Sequence, residues 1–167
     1  LITPRDVARW DILPEDIVQI KNGMAEAGKT PSRSVALHHR IYQLNPHINS
    51  IIVTQSTNLM AHAVSHQKFD VRTIPESWIF LQDVPSIPFE SLYNNTEEIA
   101  QMFSSNRVVI VENDSVIVTG NKLINTFDYL EVAEFSANSL VMASSIGPLQ
   151  PMGDKEIDEL RVAFNVK

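Results

Sequence analysis

The sequence predicts an α/β protein in which helices pack on a mixed or largely antiparallel sheet. Apolar, β-branched runs that are typical of buried strands alternate with segments whose apolar residues recur at helical spacing. Two of the turns between these runs, Asn22-Gly23 and Asn113-Asp114, are typical of hairpins. This alternation indicates layers of helices on a sheet, but it leaves the topology of the sheet open.

Three apolar runs are predicted to form the central strands of the sheet, at residues 48–53, 108–111 and 116–118. Shorter strands are predicted at residues 17–20 and 71–74. Pro85 and Pro88 restrict residues 84–89 to an edge strand or an irregular extended segment, because proline cannot donate to a sheet ladder. The apolar residues 78–81 fit a strand or a helix equally well.

Helices are predicted at residues 33–44, 57–65, 96–103, 123–145 and 154–164. Pro46 ends the first of them. Asn95 is a good capping residue, and the acids that follow it favour a helix start at residue 96. In the longest helix, apolar and small residues recur at steps of three and four, which indicates one face packed on the sheet.

Composition limits the kind of protein without naming its function. The 167 residues are 44% hydrophobic and 20% charged, as in an ordinary globular domain. The net charge of −7 argues against a broad nucleic-acid-binding surface, which needs Lys and Arg to neutralise phosphates. The absence of cysteine excludes disulfides and thiolate metal sites and fits a reducing compartment, so we expect a cytoplasmic protein. No apolar run approaches the roughly 20 residues that span a bilayer, so no membrane partner is expected.

Five stretches, in order along the chain, together resemble the class II aldolase/adducin-type family. Residues 45–56 resemble the family strand that carries two zinc-ligand histidines, and residues 109–120 resemble the family hairpin that carries a third. The others are Ile2-Thr3-Pro4 with Leu13-Pro14-Glu15-Asp16, Thr30-Pro31-Ser32 with His38 and Tyr42, and the long helix with Glu131, Glu134 and Ala137.

The resemblance implies a three-layer α/β/α domain with a central, mainly antiparallel sheet. It covers nearly the whole chain, so residues 1–167 are expected to form a single domain. The chain opens on Leu1-Ile2-Thr3-Pro4, which is typical of a strand end. We therefore expect the family's N-terminal segment to precede residue 1.

The same resemblance implies that the usual active site has lost its chemistry. Ser34 stands at the position of the family's catalytic glutamate, and Val53 and Gln55 stand at the two strand histidines. Asp114 stands at the third histidine. Valine has no lone pair and an amide oxygen is a poor zinc ligand, so we expect no zinc and no other metal. The scaffold is nevertheless expected to direct these four side chains into one shared cleft.

An anion-binding site is a further expectation from the resemblance. The family's phosphate-facing positions correspond to Arg5, Asp6, Ser32 and Arg33. A guanidinium group can bind a carboxylate or a phosphate through two parallel hydrogen bonds. Arg5, Ser32 and Arg33 are therefore candidate residues for binding a small phosphorylated or acidic sugar, with surface ion pairs as the alternative.

Two histidine positions allow a metal-binding alternative. His62 and His66 are spaced as two ligands on one helix face would be. Solvent-facing polar side chains are the simpler interpretation, because no acidic partner is near in sequence. His38 is interpreted as a packed or hydrogen-bonded helix residue rather than a metal ligand.

Two functions remain open from the sequence. The first is a degenerate, metal-free binding or assembly module, for which adducin is a family precedent. The second is a divergent sugar-phosphate aldolase, lyase or epimerase with altered or metal-independent chemistry. A homo-oligomer is expected, and the resemblance favours a tetramer. Its contact surface is expected to include the apolar residues Trp78, Ile79, Phe80, Leu81 and Phe89.

Overall fold

The computed structural model describes residues 1–166 apart from the side chain of Tyr93. Its strands are β1 (Ile20–Lys21), β2 (Met24–Ala25), β3 (Ser50–Thr54), β4 (Ser86–Ile87), β5 (Val108–Val111) and β6 (Ser115–Gly120). Its helices are α1 (Val35–Leu44), α2 (Thr57–Ser65), α3 (Pro75–Leu81), α4 (Ser91–Asn94), α5 (Thr96–Met102), α6 (Leu123–Ala143) and α7 (Asp154–Phe164). The contacts divide the chain into two compact units, residues 1–40 and 41–167.

The second unit is built on a four-stranded sheet with the order β3-β6-β5-β4. β6 pairs antiparallel with both β3 and β5, whereas β4 pairs parallel with β5. The predicted α/β class is confirmed, but the sheet is mixed rather than mainly antiparallel. The parallel pair arises because α4 and α5 lie between β4 and β5 and return the chain to the same end of the sheet.

Both faces of the central strands are buried. Val108, Ile110, Val116 and Val118 belong to one apolar cluster with residues of α2, α3 and α6. Successive side chains of a strand point to opposite faces, so Val109, Val111 and Ile117 lie on the other face. These three residues are no more than 1% exposed. Burial on both faces explains why β5 and β6 are continuous β-branched runs instead of alternating patterns.

Most predicted elements of this unit occur where the sequence places them, with one exception. α2 has the predicted bounds, and β5 does too. The undecided segment at residues 78–81 lies in α3, which begins with a proline at its first helical position. The predicted strand at 71–74 is wrong: residues 71–73 form a 3-10 turn, because the Asp70 carboxylate accepts the Arg72 amide at 2.9 Å.

Only part of the apolar segment that the sequence predicted as a contact surface is exposed: Phe80 and Phe89 are 41% and 43% exposed. Trp78 and Leu81 are only 7% and 1% exposed and lie in the core of the second unit. Arg161 of α7 lies over the Trp78 ring at 5.8 Å. α3 is amphipathic, and its buried face takes these two residues, while Phe80 remains partly exposed.

The first unit consists of short paired segments. Ile2 pairs with Val18, and residues 3–5 pair with residues 30–32 through the Arg5 amide on the Thr30 carbonyl and the Ser32 amide on the Thr3 carbonyl. β1 and β2 form the predicted hairpin, with Asn22 and Gly23 at φ values of 52° and 76°. Two consecutive positive φ values define the turn type that matches the twist of a hairpin.

His38 in α1 should make the fold sensitive to mild acid. Its Nε2 atom is buried without a hydrogen-bond partner among the described residues, and burial lowers the pKa of His38 to about 4. In the unfolded chain a histidine titrates near 6.5. Between these values the unfolded state binds more protons, so the free energy of unfolding should fall by at most about 3 kcal/mol as the pH falls from about 6.5 to about 4.

Urea unfolding at a series of pH values measures this dependence. His38→Phe should flatten the curve in that window. His39→Phe, at an exposed neighbouring position, is the matched control and should leave it unchanged. An unaltered curve in His38→Phe would contradict the assignment.

Candidate functional site

The end of β3 places two of the candidate positions on one face of the sheet. Val53 pairs with Ile117 of β6 and is half-buried. Gln55 follows the strand directly and is exposed. Residues two apart in an extended segment point to the same side, so both side chains lie on one face at this end of the sheet.

Asp114 joins them from the tight turn between β5 and β6. The Gln55 side-chain amide Nε2 donates to the Asp114 backbone oxygen at 2.8 Å. The Asp114 carboxylate accepts the Ser115 hydroxyl at 2.6 Å. The left-handed conformation of Asn113, with φ of 57°, makes this turn. The structure therefore brings Gln55 and Asp114 into contact, with Val53 two residues away along the same face.

The C-terminal end of α2 supports this turn. The Asn113 amide donates to the Ala63 carbonyl at 3.1 Å. His66 ends α2 in a left-handed conformation, and its Nε2 lies 2.9 Å from the Asn113 side-chain oxygen. The Glu112 carboxylate lies 3.9 Å from the other ring nitrogen of His66. His66 therefore stabilises the turn through contacts of its ring with Asn113 and Glu112.

The metal-binding alternative at His62 and His66 gains no support from this geometry. His62 is buried, packs against Phe69 with ring centroids 5.3 Å apart, and has its Nδ1 3.3 Å from the Gln67 carbonyl. Among residues 1–166, no three His, Asp or Glu side chains are grouped so that they could hold a metal ion.

The residues at the candidate cleft do not fit zinc. Val53 has no donor atom, the Gln55 amide is directed at the Asp114 backbone, and the Asp114 carboxylate accepts a hydroxyl. Zinc requires three or four nitrogen, thiolate or carboxylate ligands around one point. Asp114 is the only carboxylate among these three residues, and one carboxylate does not meet that requirement.

Glu134 of α6 fixes the segment that follows the cleft strand. Its Oε1 accepts the Asn58 amide at 2.8 Å and the Asn58 side-chain Nδ2 at 2.8 Å, and its Oε2 accepts the Leu59 amide at 3.0 Å. These amides belong to the first turn of α2, where backbone donors have no partner inside the helix. Burial raises the pKa of Glu134, but the bonds from Asn58 and Leu59 outweigh it and lower the pKa overall.

The five remaining candidate residues lie in or next to the paired segments of the first unit. The hydroxyl oxygens of Ser32 and Ser34 are 3.0 Å apart, and the Ser32 amide donates to the Thr3 carbonyl. The Arg5 amide takes part in the same pairing, Arg33 follows it directly, and both residues are exposed. Asp6 adopts a φ of 64°, a left-handed conformation that is uncommon for residues other than glycine.

The fold and this arrangement define a class of protein, the α/β domains of class II aldolase type. Residues 1–141 match the family model of the class II aldolase and adducin N-terminal domain, and the chain belongs to that family. It is 29% identical over 147 residues to an L-fuculose phosphate aldolase of Methanococcus vannielii, covering 85% of this chain and 79% of that protein.

Two solved structures have the same fold. One is YgbL of Escherichia coli, described as a putative aldolase/epimerase/decarboxylase, with a TM-score of 0.84 and 21% identity over 95% of this chain and 80% of that one. The other is an L-fuculose 1-phosphate aldolase, also with a TM-score of 0.84 and 21% identity, covering 98% of this chain and 78% of that one.

Sequence reasoning missed the role of Glu134. The sequence favoured a solvated or interface charge, because the residue lies in a long helix without a local partner. Its partner lies 76 residues away, and a contact over that separation leaves no local pattern. The sequence did contain one signal. Glu134 lies at the same helical spacing as the residues of α6 that are buried.

Replacing Glu134 tests whether it holds α2 in place. Glu134→Gln removes the charge and directs an amide group at backbone donors, so the free energy of unfolding should fall by about 1–3 kcal/mol. Because the folded-state pKa is lowered, this contribution is complete above about pH 4.5 and is lost as the pH falls below it.

Glu131→Gln is the matched control, because this exposed acid lies one turn earlier on the same helix. The free energy of unfolding of this variant, measured in urea, should lie within about 0.5 kcal/mol of the parent's. Equal losses in both variants would show that the Glu134 bonds do not stabilise the fold.

Proposed function

We propose that this chain is a metal-free binding or assembly module of the class II aldolase and adducin family, acting in the cytoplasm on a small phosphorylated or acidic sugar. The observation that carries the proposal is the bonding at the cleft. The Gln55 side-chain amide donates to the Asp114 backbone oxygen, and the Asp114 carboxylate accepts the Ser115 hydroxyl, where histidine ligands would have to point at a shared metal ion.

The bonding pattern favours lost metal chemistry over a temporarily empty metal site. A set of metal ligands without its metal leaves polar atoms unpaired, and unpaired buried polar atoms are costly. Here the Gln55 amide and the Asp114 carboxylate have partners within the protein, and Val53 has no polar atom. The polar side chains at these two positions therefore have partners that do not depend on an ion.

The proposed ligand class rests on candidate residues in the first unit and on the name of one relative. Arg5 and Arg33 are exposed, and Arg33 lies between Ser32 and Ser34 in the sequence. Guanidinium groups bind phosphate or carboxylate oxygens. The Methanococcus vannielii relative is named for a sugar phosphate. In this proposal Arg5, Ser32 and Arg33 bind the anionic group, and the protein works as a homo-oligomer, with a tetramer as the favoured form.

Restoring the missing ligands tests the interpretation of the cleft. The triple variant Val53→His, Gln55→His and Asp114→His should bind about one zinc ion per chain, because three histidines form a common zinc site. The parent should bind none. Zinc content after dialysis, measured by mass spectrometry, gives the answer.

The matched control moves one histidine to the opposite face of β3. Thr54→His, Gln55→His and Asp114→His should bind zinc at least about tenfold more weakly, because adjacent strand residues point to opposite faces. Stoichiometric zinc, manganese or iron in the parent would overturn the proposal. Equal zinc binding by both triple variants would refute the assigned cleft geometry.

Thermal unfolding with L-fuculose 1-phosphate, with inorganic phosphate and with fuculose alone tests the ligand class. A ligand that binds only the folded state raises the melting temperature, and at 100 times its dissociation constant it stabilises by about 2.7 kcal/mol. The sugar phosphate should raise the melting temperature, and Arg33→Ala should remove most of that shift.

Arg9→Ala, at another exposed arginine of the first unit, is the control and should retain the shift. If no anion raises the melting temperature, the proposed ligand class is excluded and the role as an assembly module remains. Cleavage or epimerisation of the sugar phosphate by the parent would instead support the divergent-enzyme alternative.

A further inference from the structure

Three asparagines of the chain adopt the left-handed backbone conformation. Asn22, Asn113 and Asn165 have φ values of 52°, 57° and 50°, and all three are exposed. An asparagine side chain can react with the backbone nitrogen of the residue that follows it, so the following residue decides whether the reaction occurs. Only Asn22 is followed by a glycine, Gly23, which has no side chain to obstruct the approach.

The structure also distinguishes the three backbone nitrogens that such a reaction would use. The Asp114 amide, which follows Asn113, donates to a carbonyl of its own turn at 3.2 Å. The Val166 amide, which follows Asn165, donates to a carbonyl in the last turn of α7 at 3.1 Å. Among residues 1–166, the Gly23 amide donates no hydrogen bond. A side-chain atom built onto Gly23 would meet nothing within 4 Å, so the space around this nitrogen is open.

We propose that Asn22 is a deamidation site at which the side chain closes on the Gly23 nitrogen. A base in the solvent takes the amide proton, the nitrogen forms a bond to the side-chain carbonyl carbon, and the bond from that carbon to the side-chain nitrogen breaks. The side-chain nitrogen takes a proton from water and leaves as ammonia. This inference goes beyond the proposed function and does not depend on any ligand.

Water completes the reaction by opening the five-membered succinimide ring at one of its two carbonyls. Opening at the side-chain carbonyl leaves an ordinary aspartate. Opening at the main-chain carbonyl leaves isoaspartate, in which the chain continues through the former side chain. Both products carry a carboxylate where the protein had a neutral amide.

The β1–β2 hairpin can open far enough for this ring closure. It contains only two residue pairs, and a two-stranded ribbon of that length is marginally stable in water. The turn at Asn113 is different, because it joins β5 and β6, whose residues are buried almost throughout. In addition, His66 Nε2 lies 2.9 Å from the Asn113 side-chain oxygen and restrains that side chain.

Isoaspartate at this turn should loosen the first unit. It adds a methylene group to the main chain, so the two-residue turn no longer matches the pairing of β1 with β2. That pairing continues in the Glu26 amide, which donates across the hairpin at 3.0 Å, and the Glu26 carboxylate binds Lys29 at 2.6 Å. Lys29 in turn donates to the Ile17 carbonyl at 3.0 Å. The next residue, Val18, pairs with Ile2, so the contacts lead from the turn to the start of the chain.

Peptide mapping by mass spectrometry, after incubation of the folded protein at mildly alkaline pH, measures the loss of each amide. Asn22 should react at least about tenfold faster than Asn113 or Asn165, because its target nitrogen is free and unobstructed. Two product peptides of equal mass should appear, and one should accept a methyl group from an isoaspartyl methyltransferase. Reaction of Asn113 or Asn165 as fast as Asn22 would overturn the proposal.

Replacing the glycine tests the chemistry at this turn. Gly23→Ala places a methyl group beside the attacking nitrogen and should slow the loss of the Asn22 amide at least about tenfold. Gly28→Ala is the matched control, because Gly28 also has a positive φ, of 81°, and equally open surroundings in the same unit. It should leave the rate unchanged. An unaltered rate in Gly23→Ala, or equal slowing in both variants, would contradict the assigned site.

Hydrogen exchange tests the loosening of the first unit. The amides of Ile2 and Val18 donate to each other's carbonyls at 3.0 and 2.9 Å. In the purified isoaspartate form they should exchange at least about tenfold faster than in the parent. Asn22→Asp carries the same charge with a normal main chain, so it should exchange like the parent. Unchanged exchange in the isoaspartate form, or equal acceleration in Asn22→Asp, would overturn the proposed loosening.

Discussion

The carboxylate of Glu134 is the contact on which the geometry of the candidate cleft depends. It binds the first turn of α2, the helix that directly follows the β3 residues of the cleft. The other end of α2 supports the β5–β6 turn through Ala63 and His66. One side chain of α6 therefore restrains a helix whose two ends lie beside Gln55 and Asp114. The interaction is favourable because a negative charge meets unpaired amide groups at the positive end of a helix.

At the candidate cleft, the polar side chains of Gln55 and Asp114 form hydrogen bonds within the protein. In a metal site, several polar ligands point at one place, and the metal compensates the cost of gathering them. Without the metal, such ligands would be poorly paired. The pairing of Gln55 with the Asp114 backbone and of Asp114 with Ser115 removes that cost. In the metal-free form that we propose, the Gln55 amide and the Asp114 carboxylate therefore keep partners within the protein.

The sequence predicts well those elements whose signal is local. β5 and α2 occur at the predicted residues, since a buried β-branched run and a periodic helix are both visible in short windows. The parallel pairing of β4 with β5 could not be predicted, because the register of residues 86–87 against 110–111 is set by packing over a long separation. The burial of Trp78 likewise depends on which side of a short helix faces the core.

The candidate site is predictable to the same extent. The resemblance locates Val53, Gln55 and Asp114, because the residues around them in the sequence match the family pattern. It does not predict the hydrogen bonds that these three residues form. The adjacent residues Glu134 and Phe135 show the same limit of prediction from sequence. Successive helix residues are separated by about 100° around the axis, so one reaches α2 while the other faces outward. A period of three and four residues identifies the side of α6 that is buried, but it does not predict how far the residues outside that period are exposed.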